Sequence, residues 1–168
     1  DSGSPGTSFS ANSRSSTVPR PNRGGVGAAT QFVIADQPEQ VSLLGSADLV
    51  HGRVWDVRRD DVELEGHRFQ RDYVVHPGAV GVMAVDEHAN VLLLRQYRHP
   101  VALSMWEPPA GLLDQVGESP LAAAKRELRE ETGYTAGTWN VLVDFANSPG
   151  GSSEQLRCYL AQGLVAHP

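Results

Sequence analysis

The segment RELREETG, residues 126–133, sets Glu127, Glu130 and Glu131 within a little more than one turn of any helix they share. At about 100° per residue, Glu130 and Glu131 fall roughly 60° and 40° to either side of Glu127. Like charges three and four positions apart destabilise an isolated helix by roughly 0.2–0.5 kcal/mol per pair, so the stripe needs a counter-charge. One answer is a bound cation. Magnesium takes oxygen ligands and commonly engages one or two carboxylates together with substrate phosphates. Glu127 and Glu131, one turn apart, supply such ligands from a rigid element, and a backbone carbonyl from the Pro109-Ala110-Gly111 turn adds another oxygen. The other answer is a solvated helix face laced with Arg–Glu pairs, which is common on charged surface helices. Arg126 suits either, pairing with Glu130 at i,i+4 or with Glu118 near the helix start.

The element that must carry these residues is a helix over 120–132. Ser119 is its N-cap, Pro120 fits the first helical position, and Gly133 fits the position just past the end. Leu121, Ala124 and Leu128 form an apolar stripe beside the acidic one. The segment WEPPAGLLDQVGE, punctuated by Pro108, Pro109, Gly111 and Gly117, predicts a loop leading into it. Upstream, residues 50–75 predict three strands, near 50–58, 61–65 and 67–75, with turns at Asp60-Asp61 and Gly66. AVGVMAV (79–85) and NVLLLRQY (90–97) predict a hairpin through DEHAN. WNVLVDFA (139–146) and QLRCYLAQ (155–162) predict two further strands, separated by NSPGGSSE. Strands flanking one strong helix predict a mixed α/β (α+β) sandwich rather than alternating βαβ units.

Composition bounds the function. The chain has 168 residues, enough for one domain and an appendage, and a formal net charge of -6. That charge argues against a nucleic-acid surface, and a polyanionic substrate needs local help from arginines or metal ions. The single cysteine, Cys158, permits no intrachain disulfide; it alternates with Leu156 and Leu160 and reads as a small core residue. No apolar run approaches the roughly 20 residues of a membrane span, and no signal-peptide segment opens the chain. A cytoplasmic protein is expected. Residues 1–37 are dominated by Ser, Gly, Pro, Asn and Arg over most of their length and are expected to be a disordered tail.

From Gly111 to Tyr134 the sequence GLLDQVGESPLAAAKRELREETGY resembles the Nudix box, G-x5-E-x7-R-E-U-x-E-E-x-G-U, with U a bulky apolar residue. Glu118, Arg126, Glu127, Leu128, Glu130, Glu131 and Gly133 match in register. Two positions depart: six residues separate Gly111 from Glu118, and Tyr134 stands where Ile, Leu or Val is usual. Both lie at loop and packing positions. RQYRH (95–99), WEPPAG (106–111) and SPGGSSE around Pro149 are similar to the ADP-ribose pyrophosphatase subgroup of that family.

The resemblance implies a Nudix-type α/β/α sandwich preceded by a small antiparallel sheet: residues 38–76 as a dimer-forming strand subdomain and 77–168 as the catalytic domain. It implies that Glu127 and Glu131 bind Mg²⁺ (or Mn²⁺) with the Ala110 carbonyl, that Glu130 is a further ligand or lies behind the ligands, and that Arg126 orients the acidic stripe. It implies Arg98 on the diphosphate, Glu154 near the terminal ribose, and Trp55, on an N-terminal strand, stacking on adenine. Read without the resemblance, Arg98 is equally a surface ion-pair residue, Glu154 a solvated loop acid and Trp55 a packing residue. The implied reaction is Mg²⁺-dependent hydrolysis of ADP-ribose to AMP and ribose 5-phosphate by a homodimer. The alternatives are a Nudix hydrolase for another nucleoside diphosphate derivative and a weakly catalytic ADP-ribose-binding module. Members of the subgroup continue past the last strand with an acidic loop, a strand and a helix. The loop carries a glutamate that assists the attacking water. Residues up to Pro168 offer no counterpart to that segment: either the sequence is a truncated product, or another group takes the role, with Glu154 the nearest candidate, or catalysis is impaired.

Overall fold

The computed structural model describes residues 35–167. Most of the expected tail, residues 1–34, lies outside the described residues, and the compact unit begins at Glu39. Three strands open it: β1 (Ser42–His51), β2 (Asp56–Leu64) and β3 (His67–Val75), in an antiparallel sheet of order β1-β2-β3. The Gly66 turn forms as expected, with Glu65 and Gly66 both at positive φ, the geometry that matches strand twist in two-residue hairpins. The turn expected at Asp60-Asp61 does not form. β2 runs straight through both residues because each carboxylate has a cross-strand donor. Asp60 accepts from Ser46 Oγ (2.6 Å) and Tyr73 OH (3.0 Å), and Asp61 accepts from Gln70 Nε2 (2.6 Å). The first turn instead lies between β1 and β2, where the Gly52 N–H donates to the Trp55 carbonyl at 3.0 Å. Trp55 therefore sits in a turn, not on a strand.

β4 (Ala79–Val85) appears where its apolar run predicts. The hairpin expected after it reduces to one bridge, Val85 to Val91, and a Leu92 N–H to Ala84 carbonyl bond of 2.9 Å. The chain then leaves β4, and β5 (Leu94–Arg98) pairs with β6 (Leu103–Glu107) across a single 3-10 turn at His99–Val101. The expected loop 106–118 likewise contains strand: β6 ends at Glu107, and β7 (Ala110–Leu112) pairs with Ala79–Gly81 of β4.

α1 (Pro120–Thr132) matches its sequence signals at both ends. Ser119 Oγ accepts from the Ala122 N–H at 3.2 Å, and Gly133, at φ 72°, donates its N–H to the Arg129 carbonyl at 2.9 Å. A left-handed residue here is favoured as glycine, and it turns the chain directly into β8 (Tyr134–Ala146). β8 and β9 (Gln155–Ala166) complete a four-stranded sheet of order β7-β4-β9-β8. β4 and β9 are parallel and the other pairs antiparallel. The mixed α+β class is as expected, with the antiparallel sheet preceding a mixed one. Among the described residues α1 is the one α-helix, and it covers one face of the mixed sheet.

That face holds the core: Val80, Val82 and Ala84 of β4, Tyr159 and Ala161 of β9, and Ala123, Ala124 and Leu128 of α1. Cys158 is buried in the opposite register, beside Gly81, and burial pushes its thiol pKa up, as a packing residue rather than a nucleophile requires. No helix among the described residues is long and apolar enough to cross a membrane. Leu128 is fully buried between helix and sheet, whereas Leu142 on β8 is 52% exposed. Leu128→Ala is expected to cost about 2–5 kcal/mol in urea unfolding, and Leu142→Ala to stay within about 0.5 kcal/mol.

Candidate functional site

The acidic stripe of α1 is organised by one guanidinium. Arg126 Nε and Nη2 donate to the two oxygens of Glu118, each at 3.0 Å, while Nη1 donates to Glu127 Oε1 (2.7 Å) and Glu130 Oε2 (3.1 Å). Hydrogen bonds to Glu118 and then Glu127 push the Arg126 pKa further above its already high value, and Arg126 in turn holds the Glu118 carboxyl below its ordinary range. Both sequence-level pairings of Arg126 therefore exist at once. The three helix carboxylates are not equivalent. The Glu130 side chain is 59% exposed, whereas Glu127 is 15% exposed.

β7 lies against the other side of the stripe. The Ala110 N–H donates to Glu131 Oε2 at 3.0 Å, so Ala110 meets the helix through its N–H. A Cβ at Gly111 would overlap the Glu127 carboxylate; only a residue without a side chain lets the strand pass so close. Burial raises the Glu131 pKa, the Ala110 N–H lowers it, nearby Glu127 raises it, Arg98 lowers it and Glu107 raises it, with burial the largest effect and the net direction upward. Among the described residues no three His, Cys, Asp or Glu side chains form a ready-made metal cage. Two crowded carboxylates one turn apart, beside backbone that forbids a side chain, nevertheless suit a hard divalent cation. The remaining coordination positions of such an ion go to water and phosphate oxygens.

Glu131 opens onto a cleft of about 380 Å³ that also reaches Trp55, His76, Gln96, Arg98, Ala110, Gly111 and Glu154. The fold thus gathers around one hollow residues drawn from a turn, two sheets and a loop. Arg98, at the end of β5, is paired with Glu107 of β6, its Nε 3.0 Å from both carboxylate oxygens. This pair raises the pKa of Arg98 and lowers that of Glu107. Glu154 accepts from Asn147 Nδ2 at 2.8 Å. Trp55 is half-exposed and stacks on His76, ring centroids 6.0 Å apart and planes 29° apart. Of the stripe, Glu131 alone lines the cleft; Glu127 and Glu130, like Arg126 and Glu118, lie outside its lining.

Sequence reasoning missed His76, Gln96 and Glu107. Glu107 lay within the WEPPAG segment and Gln96 within RQYRH, yet neither carried a local pattern of its own. His76 is a lone imidazole at a strand end, and only the tertiary fold brings it to Glu154.

Residues 75–165 match the NUDIX domain family. The chain is 47% identical over 121 residues to the ADP-ribose pyrophosphatase of Mycobacterium tuberculosis, covering 71% of this chain and 58% of that protein. It is 45% identical to the methanol dehydrogenase activator of Bacillus methanolicus, covering 67% and 61% of the two chains. It is 39% identical to the ADP-ribose pyrophosphatase of Bacillus subtilis, covering 72% and 65%. The chain therefore spans roughly three-fifths of the length of these curated relatives. A solved structure titled as an ADP compounds hydrolase superposes with a TM-score of 0.65 at 25% identity, over 79% of this chain and 72% of that one.

The electrostatics of Glu131 give a pH signature. With its folded pKa above the unfolded value, the group favours the fold at low pH, and this contribution is lost as pH rises through the raised pKa. Glu131→Gln is therefore expected to unfold at a higher temperature than the parent at pH 7 without divalent ions. The difference should close below about pH 4, where the parent carboxyl is also neutral. Thermal melts across that range would expose an error if the variant were the less stable at pH 7.

Proposed function

The chain belongs to the NUDIX domain family, and from that premise we propose that it hydrolyses the diphosphate linkage of ADP-ribose, using Mg²⁺, to AMP and ribose 5-phosphate. The observation that carries the reading is the seating of Glu131 and Glu127 against the Ala110-Gly111 backbone at the edge of the cleft. The ADP-ribose pyrophosphatases at 47% and 39% identity favour this substrate.

The chemical obstacle is charge: water must reach a phosphorus whose oxygens are already negative. When bound, Mg²⁺ supplies neutralisation of that charge and a water of lowered pKa. Glu127 and Glu131 would hold the ion, with the Ala110 carbonyl as a further oxygen and Glu130 as an outer carboxylate. Arg126 keeps Glu127 oriented, since its Nη1 donates to Oε1, the oxygen that lies against Gly111. Arg98 turns its guanidinium from Glu107 toward the diphosphate, for which a planar fork is well matched. Trp55 offers a half-exposed indole face for adenine, and Glu154 accepts from ribose hydroxyls. Little covalent chemistry is asked of the side chains; they position and stabilise.

The chain is further proposed to act as a homodimer in which residues 38–76 form the contact and 77–168 the catalytic unit. Support comes from the edge strand β1, where Leu43, Leu44 and Val50 are exposed. Unpaired strand edges bearing apolar side chains tend to be covered. Light scattering is expected to give twice the chain mass, and a monomer at micromolar concentration would count against it.

Incubation with ADP-ribose and Mg²⁺ is expected to release AMP, and chelator to stop it. Glu131→Gln is expected to lower kcat by more than about 100-fold, and Mg²⁺ to raise the melting temperature of the parent but not of this variant. Chelator-insensitive release would sink the metal assignment. A preference for GDP-mannose in a substrate panel would move the reading to another nucleoside diphosphate derivative, and tight ADP-ribose binding without AMP would identify a binding module.

A further inference from the structure

One wall of the cleft is built by residues outside the acidic helix: Trp55, His76 and Glu154. His76 follows β3 directly, and its side chain is only 7% exposed. Its Nδ1 accepts the Gly78 N–H at 3.0 Å, which leaves the proton of the neutral ring on Nε2. That Nε2 faces Glu154 Oε1 at 3.8 Å, just beyond hydrogen-bond length. The other Glu154 oxygen is taken by Asn147. The carboxylate is thus bracketed by Asn147 and His76, while the face of the imidazole carries Trp55. The backbone repeats the connection. Val74 bonds to Gly151 and Ser153, each at 3.0 Å, and the His76 N–H donates to Ser153 Oγ at 2.9 Å.

We infer that His76 is a positioning residue that sets Glu154 and Trp55 relative to one another, so that the aromatic plate and the ribose-facing carboxylate act as one substrate-binding wall. The inference rests on the hydrolase reading above for the identity of the ligand, but not for the link between His76 and Glu154. Nε2–H lies 3.8 Å from the oxygen of Glu154 that Asn147 leaves free. A carboxylate movement of about 1 Å makes a full hydrogen bond of it. With that donor gone, Glu154 keeps its charge but loses one of its two brackets. Substrate binding should suffer while the chemistry at the acidic helix does not.

The test is a double-mutant cycle with His76→Phe, Glu154→Gln and the pair. Phenylalanine keeps a ring beneath Trp55 but offers neither nitrogen; His76→Asn, which keeps an acceptor for the Gly78 N–H, replaces it if the first variant fails to fold. Each single substitution is expected to raise KM for ADP-ribose about tenfold with kcat within about threefold, as loss of one such contact allows. The double variant is expected to show about the same tenfold rise, because both changes remove one interaction. A hundredfold rise in the double, an unchanged KM in the His76 variants, or a loss confined to kcat would each overturn the assignment. If the parent chain releases no AMP from ADP-ribose, the functional reading falls by itself. The same cycle is then read in urea unfolding: non-additive stabilities retain the His76–Glu154 link and additive ones remove it.

Discussion

Three carboxylates on one stripe of a 13-residue helix are tolerable because a guanidinium of the same element answers two of them and a backbone N–H answers the third. Arg126 spends its donors on Glu118, Glu127 and Glu130 and leaves Glu131 to the backbone of β7. This division of partners decides much else. It ties the loop before α1 to the helix through Glu118, and it turns Glu127 toward Gly111. It leaves Glu131 as the carboxylate that borders the cleft, partly desolvated and short of positive charge. Replacing Arg126 with lysine would keep the charge but not the fork that reaches three acids at once.

On the proposed reading, the cleft also explains how a chain of net charge -6 accepts a diphosphate. Among the described residues the lining has one arginine, Arg98, already matched by Glu107, so these residues set no free guanidinium beside Glu131 and Glu154. A divalent ion at the helix would reverse the local sign and release the need for Arg98 to stay with Glu107. Binding of cation and of substrate should accordingly reinforce each other, each reducing the electrostatic cost of the second.

What the sequence disclosed divides along the range of the interactions involved. The helix ends were legible because Ser119, Pro120 and Gly133 act on their own immediate backbone. The run 79–85 was legible because a buried strand between two others is apolar at nearly every position. The Asp60-Asp61 turn was misread because two adjacent aspartates favour a turn unless donors lie across the sheet, and Ser46, Tyr73 and Gln70 are such donors. The partner of β5 was misread because apolar runs record burial, not which neighbour provides it. Of the residues that line the cleft, Glu131 was singled out by spacing on one helix, and Arg98, Glu154 and Trp55 through the resemblance. His76 and Glu107 were not, since their partners are distant in sequence or on another strand.

The wall of the cleft is joined by contacts that reach far along the chain. The N-terminal sheet is made of neighbours, with pairs such as Asp60 and Tyr73 only 13 positions apart. The His76 N–H, by contrast, meets Ser153 Oγ across 77 positions, and β4 takes β9 as its parallel partner. Local pairings close quickly and distant ones slowly, because loop entropy must be lost before they form. During synthesis the antiparallel sheet can fold while α1 is still inside the ribosome, whereas the pocket corner must wait for residues 147–154 to emerge. The corner of the cleft is therefore assembled only when two segments far apart in sequence are both present, after the sheet that precedes it.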